Sequence, residues 1–223
     1  MKKFLTLQEI AASDWGKRIR EELGEGLLSA FLHGNCLYEG FDAIHEKWRV
    51  SVILKDFRPG ELSSVHGFRR KMAAENMEFG YFFSESFLES GKDDYPLEFL
   101  HISRRNVPLF GAAPLADFLP DENALRAECR RELKSRGLHL VGEFTRIQSG
   151  ISPMDFFIEL NSEILPILYG IYFLRQKSYP KTREEVLSLF PEFRVDEPAL
   201  DFKQNAERAN ACFAAIEKLV QTI

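Results

Sequence analysis

The sequence predicts an α+β fold: a mixed β-sheet with flanking helices, followed by an all-α helical bundle. Between residues 27 and 111, apolar or aromatic runs of strand length alternate with segments of helical composition, an order that lays helices over a sheet. From Asp121 onward the strand-like runs stop and only helical spacing remains. The 223 residues, 45% of them hydrophobic and twenty of them Phe, provide enough material for one large domain or two small ones. The change of character sets the expected boundary at residues 118 and 119, with an α/β domain over 1–118 and a helical bundle over 119–223.

The elements follow in order. Thr6-Leu-Gln-Glu9 has capping-box spacing, and Leu7, Ile10, Ala11, Ile19 and Leu23 share a helical face, so one helix is expected over about 7–23, ended by Gly24-Glu-Gly26. Leu27 to His33 is a continuous apolar run bounded by glycines, which suits a buried strand. Residues 38–46 read as a short helix or loop, and Arg49 to Asp56 as a strand stopped by Arg58-Pro-Gly60. Glu61 to Met77 is helical in composition with Val65, Phe68, Met72 and Ala73 as its stripe, and Glu78 to Ser84 is an aromatic strand. Leu97 to Ser103 alternates imperfectly, as a strand would, and Val107 to Phe110 is a short apolar run closed by Gly111.

Beyond Asp121, an N-cap candidate precedes Leu125, Cys129, Leu133 and Leu140 at helical spacing, and the helix is expected to reach about Ile147. Ser152-Pro153 starts another helix, apolar nearly all round to Lys177, with Pro166 expected to kink or split it. Thr182-Arg-Glu-Glu185 opens a short helix to Phe190, and Ala199 to Thr222 forms the last.

Composition narrows the function. The net charge is −5, so no overall basic field attracts nucleic acid or anionic lipid. Three basic clusters, Arg69-Arg70-Lys71, Arg104-Arg105 and Arg126 with Arg130-Arg131, read as solvated faces beside Glu128 and Glu132. Cys36, Cys129 and Cys212 are odd in number and widely separated, which argues against a disulfide framework or a zinc site. The N-terminus reaches Gln8 and Glu9 before an apolar run forms, unlike a secretory signal. The most apolar run, Ile164 to Leu174, has eleven residues and is too short to span a bilayer. A cytoplasmic location without membrane contact is the expectation.

One stretch carries chemistry. Leu27 to His33 runs into Gly34-Asn35, and thirteen residues after Asn35 the strand Trp48-Arg49-Val50-Ser51-Val52-Ile53-Leu54 begins. With Pro96-Leu-Glu98-Phe-Leu, Val107-Pro-Leu-Phe-Gly111 and Leu125-Arg-Ala-Glu-Cys-Arg-Arg-Glu-Leu, this resembles the nucleotidyltransferase superfamily over roughly residues 25 to 145. The resemblance implies a polymerase-beta-like palm with helices on one side, and a helical-bundle tail. It also implies that the glycine turn cradles a nucleotide's triphosphate through backbone N–H groups, and that a second strand holds two carboxylates at i and i+2.

Those two positions are Arg49 and Ser51. Strand residues two apart share a face, so paired carboxylates there would chelate cations together. A guanidinium about 4 Å from a cation instead costs roughly 4 kcal/mol per unit-charge pair at an effective dielectric of about 20, and roughly twice that for a divalent ion. Glu98 matches the third carboxylate, on what the resemblance makes a neighbouring strand. Arg49 then either binds phosphate through its fork or forms an internal ion pair with Glu98. Among nearby acids, Asp42 and Glu46, at i and i+4, read as a solvated helix face, Glu39 lies near the glycine turn, and Asp56 falls on the opposite strand face by parity.

The candidate ligand-binding residues are therefore His33, Gly34, Asn35, Arg49, Ser51, Glu98 and His101, with no catalytic residue and no metal ligand. Pairings of Ser63-Ser64 with His66, or of Cys36 with His33 and Glu39, lack any signal of hydrolase geometry. The reading is a noncatalytic nucleotidyltransferase-like protein that binds a nucleotide or phosphate, or a protein partner through its helical bundle. No cofactor is expected, and nucleic acid is not an expected partner. The alternative is an active enzyme, which would require magnesium.

Overall fold

A computed structural model describes residues 5–38, 41, 46–147, 152–194 and 202–223, with the backbone alone at 35, 61, 63, 64 and 147. The chain divides into two compact units, Met1–Pro120 and Asp121–Ile223.

The first unit opens with helix α1 (Leu7–Ala11). The Thr6 hydroxyl accepts the Glu9 amide (3.2 Å) and the Glu9 carboxylate accepts the Thr6 amide (2.8 Å), the reciprocal bonding that the sequence spacing announces. The helix does not continue to residue 23. Ser13 turns its hydroxyl back to the Ile10 carbonyl (2.6 Å) and accepts the Trp15 amide (3.3 Å), so the chain restarts as α2 (Trp15–Leu23).

Strand β1 (Leu27–His33) is followed by a 3-10 turn over Gly34–Leu37 and by β2 (Trp48–Leu54). Residues 39, 40 and 42–45, with part of the expected helix or loop, lie outside the described residues. A 3-10 segment at Pro59–Ser64 precedes α3 (Val65–Ala74), so the helix expected from Glu61 is shorter at both ends. Strand β3 (Met77–Ser84) leads into α4 (Glu85–Ser90), where the Ser84 hydroxyl accepts the Phe87 amide (3.1 Å).

Residues 97–103 are not a strand. They belong to α5 (Pro96–Arg104), in which Pro96, Leu97, Phe99, Leu100, His101 and Ile102 are all buried. The imperfect alternation reflects burial on nearly every side, and Pro96 is in place for a first helical turn. Strand β4 (Asn106–Phe110) completes the sheet.

The strand order is β3-β2-β1-β4, with β1 antiparallel to β2 and β4, and β2 parallel to β3. Pro108 sits in the edge strand β4, where a missing N–H costs no central ladder bond. One face of the sheet, with Ala30, Leu32, Val50, Val52, Leu54, Met77 and Phe79, packs into a core with Ile10, Trp15, Ile19, Val65, Phe68 and Met72 of α1, α2 and α3. The opposite face is covered as well: Phe83 contacts Phe87 of α4 (6.0 Å) and Phe99 of α5 (6.1 Å, edge to face). Helices therefore lie on both sides of the sheet and not on one.

The second unit is helical: α6 (Glu122–Ile147), α7 (Pro153–Gln176), α8 (Arg183–Leu189) and α9 (Phe202–Thr222). Asp121 accepts the amides of Asn123 and Ala124 (both 2.9 Å), and Ser152 and Thr182 cap α7 and α8 through Met154 and Glu185. Residues 195–201, including the expected start of the last helix at Ala199, lie outside the described residues. Helix α7 runs through Pro166 as one element. Its length and apolarity would also suit a membrane span, but twelve of its residues are buried within the protein, from Phe156 to Leu174, as in the central helix of a bundle.

Candidate functional site

The polar face of the sheet gathers the residues singled out in the sequence. At the end of β1, Gly34 has φ +83° with open space where a Cβ would stand. The glycine is there because the backbone turns left-handed on leaving the strand. His33 is 3% exposed and Ser51 fully buried, and the two meet at 2.7 Å through Nε2 and Oγ.

The local geometry of β3 explains this contact. Val50 pairs with Phe79 but Val52 pairs with Phe82, so Gly80 and Tyr81 both stand opposite Ser51. This is a β-bulge, and it diverts the Tyr81 N–H from the ladder. The Ser51 hydroxyl accepts that N–H at 2.6 Å. A Cβ at position 80 would come within 2.7 Å of both the Ser51 hydroxyl and the Arg49 Cγ. The glycine in the aromatic strand thus makes room for the two side chains at i and i+2 on β2.

Proton placement follows from satisfaction of the buried hydroxyl. The Ser51 hydroxyl accepts from Tyr81 and has one hydrogen to give, which finds an acceptor in Nε2 of His33 in the tautomer that carries its hydrogen on Nδ1. Nδ1 lies 3.9 Å from Glu98 Oε1. Burial, with the Arg49 charge adding to it, pushes the His33 pKa down to about 4. His33 is accordingly neutral near pH 7, and its contact with Glu98 is longer than a hydrogen bond and is not an ion pair. The Tyr81 ring lies against His33 with centroids 5.4 Å apart, and burial and the Glu98 charge raise its phenol pKa while Arg49 opposes them.

Arg49 does not bridge to Glu98. It stands directly across from Glu78 in the β2–β3 ladder, and its guanidinium reaches that carboxylate at 3.3 Å. Lys47 approaches the same carboxylate at 3.5 Å. Opposite charges placed face to face on adjacent strands pair more readily than charges on separate elements, and the trio carries one positive charge more than it neutralises. Glu98 is presented from the first turn of α5 and not from a strand. His101, one turn further along α5, is buried. The backbone of Asn35 is in the 3-10 turn, and its side chain lies outside the described residues.

Ser51, His33 and Glu98 follow one another as the members of a nucleophilic triad would, but the serine is fully buried and its oxygen also accepts a backbone amide. The Cys36 thiol, for its part, bonds the His33 carbonyl (3.2 Å) and not the ring, and burial raises its pKa. Neither group presents a nucleophile to a substrate. Arg49 and Ser51 carry no carboxylate oxygen, and no group of three or more His, Cys, Asp or Glu side chains converges among the described residues. Asp56 is exposed and accepts its neighbour's amide (2.8 Å), and Glu46 is exposed; Glu39 and Asp42 lie outside the described residues.

Sequence reasoning missed Glu78, Gly80 and Tyr81. An isolated glycine inside a strand-like run is the signal that could have located the bulge.

No protein-family model matches the chain, and neither does any curated protein. Among solved structures, it is similar to spectinomycin adenyltransferase AAD(9) from Enterococcus faecialis, solved with ATP and spectinomycin. That likeness has 12% identity and a TM-score of 0.45, covering 93% of this chain and 98% of the other. It is also similar to a nucleotidyltransferase-like protein from Exiguobacterium sibiricum 255-15, at 10% identity and a TM-score of 0.35, covering 96% of this chain and 75% of that one. Neither likeness transfers an activity or a residue role to this chain.

Proposed function

We propose that the chain is a noncatalytic nucleotidyltransferase-like protein that binds a nucleotide or another phosphate-bearing anion at the Arg49 end of the polar face. The observation that carries this reading is the content of the i and i+2 positions on β2. One holds a half-exposed guanidinium paired to Glu78, and the other a hydroxyl consumed by His33 and the Tyr81 amide. Two-metal nucleotidyl transfer needs acidic oxygens at such a pair, whereas a guanidinium there suits direct, metal-free contact with phosphate. Lys47 adds to the attraction, and exchanging Glu78 for a phosphate leaves Arg49 paired throughout.

The alternative, an active metal-dependent enzyme transferring a nucleotidyl group to a small molecule, protein or RNA, makes the opposite demand on magnesium. Thermal unfolding in the presence of each nucleoside triphosphate, with magnesium or with a chelator, separates the two. The expected result is stabilisation that persists in chelator and disappears in Arg49→Ala. Stabilisation only with magnesium, together with pyrophosphate release from the triphosphate, would establish the active enzyme. No stabilisation by any triphosphate would leave a protein-interaction module.

A further inference from the structure

Of the aromatic residues of β3, Phe79, Tyr81, Phe82 and Phe83, only Tyr81 is exposed, at 45%. Strict alternation after Phe79, which faces the core, would send position 81 to the core as well. The bulge prevents this, keeping Gly80 and Tyr81 together opposite Ser51. The Tyr81 ring therefore lies on the polar face, against His33 (centroids 5.4 Å, planes 30° apart) and beside Phe83 (5.4 Å, 48°). Its backbone is held by the Ser51 hydroxyl at 2.6 Å. A ring fixed in this way before a ligand arrives loses little conformational entropy when it is covered.

Tyr81 also adjoins the Arg49 end of the face. The stem of Arg49 runs over Gly80, with Cγ 2.7 Å and Cδ 3.0 Å from where a Cβ would stand. Arg49 and Glu98 both act on the Tyr81 phenol, in opposite senses. The side chains of Arg49 and Lys47 are half-exposed, so cationic groups and an aromatic ring reach solvent from neighbouring positions of one sheet face. The ring adds nothing to the binding of a bare phosphate, because its own face is electron-rich. What it adds is a surface for a planar group.

We propose that Tyr81 is the specificity-determining residue of this site: the base of a nucleotide stacks on its ring while the phosphates meet Arg49, so that the ligand is a nucleoside phosphate and not inorganic phosphate or polyphosphate. The inference rests on the anion-binding reading and narrows its ligand.

The test compares ATP with inorganic tripolyphosphate, both in chelator, by calorimetric titration of the wild type, Tyr81→Leu, Tyr81→Phe and Tyr81→Trp. Stacking of one base on an aromatic side chain changes affinity by about tenfold or more, so the wild type is expected to prefer ATP by at least that factor. Tyr81→Leu, which keeps apolar bulk without the ring, is expected to lower the preference about tenfold, whereas Tyr81→Phe and Tyr81→Trp keep it. In Tyr81→Trp, indole fluorescence is expected to fall on addition of ATP and to hold on addition of tripolyphosphate, against the steady signal of the buried Trp15 and Trp48. A wild type that binds the two probes equally, or a Tyr81→Leu protein that keeps the preference, overturns the inference and leaves the anion site standing. Loss of the preference in Tyr81→Phe would assign it to the phenol hydroxyl and overturn stacking equally. A wild type that binds neither probe removes the anion-binding reading and this inference with it.

Discussion

The two faces of one strand behave as different materials. On β2, Val50, Val52 and Leu54 look into a dry core, wedged against α1, α2 and α3. Arg49 and Ser51, interleaved with them, look the other way into a hydrogen-bonded network with His33, Tyr81 and Glu78. The apolar face is non-directional and depends on volume and area. The polar face depends on each donor meeting an acceptor, so its geometry is specified more sharply for a smaller gain in stability. A bulge, which would disturb packing on the first face, is what completes the second.

The comparison can be tested by mutation, beginning where the effect is largest. Leu32→Ala, at a fully buried position of the core face, is expected to lower unfolding free energy by about 2–5 kcal/mol, read as a drop in the urea midpoint with little change in slope. A loss below 1 kcal/mol would mean that this face is not the main core.

Next comes pH. His33 binds fewer protons folded, with a pKa near 4 against an unfolded value of about 6.5. Stability from this group is present above about pH 6.5 and is lost as pH falls towards 4, by up to about 3 kcal/mol. Subtracting the stability curve of His33→Asn from that of the wild type should isolate this loss, and a flat difference would mean that the imidazole is solvated.

Ser51→Ala removes the acceptor of the part-buried Tyr81 amide and the partner of the buried Nε2 of His33. A cost of about 1–3 kcal/mol is expected, and Ser51→Cys should recover part of it if hydrogen bonding is the cause. The smallest effect belongs to Arg49→Ala. Its half-exposed pair with Glu78 is expected to contribute less than about 1 kcal/mol, so the melting temperature should barely move even where anion binding is lost. A large destabilisation would instead assign Arg49 to the scaffold.

Much of this was legible in the residues. Leu27 to His33 reads as a strand because glycines bound an apolar run, and it is one over that span. Thr6 with Glu9, Asp121, Ser152 and Thr182 announce helix starts through their own side chains, and each makes the capping bond. Local chemistry of this kind needs no knowledge of the rest of the chain. Residues 97–103 misled because burial on all sides erases the periodicity that separates helix from strand. Ser13 broke a helix whose apolar spacing continues unbroken, because a hydroxyl bonding its own backbone leaves no trace in the hydrophobic pattern.

At the candidate site, the pairing of positions 49 and 51 on one face came from the period of a strand, and the absence of acids there from reading two letters. The partner of Arg49 did not. Glu98 and Glu78 are equivalent carboxylates in sequence, and only the parallel register of β2 with β3 brings the second across from the guanidinium.

By itself, the amino-acid order determined what is decided within a few residues: helix starts, the strand run, the side chains at positions 49 and 51. Tertiary structure alone decided which distant groups share a hydrogen bond, as His33, Ser51 and Tyr81 do, because strand register and a one-residue bulge depend on how whole elements pack. Their energies are set by neighbours far away along the chain.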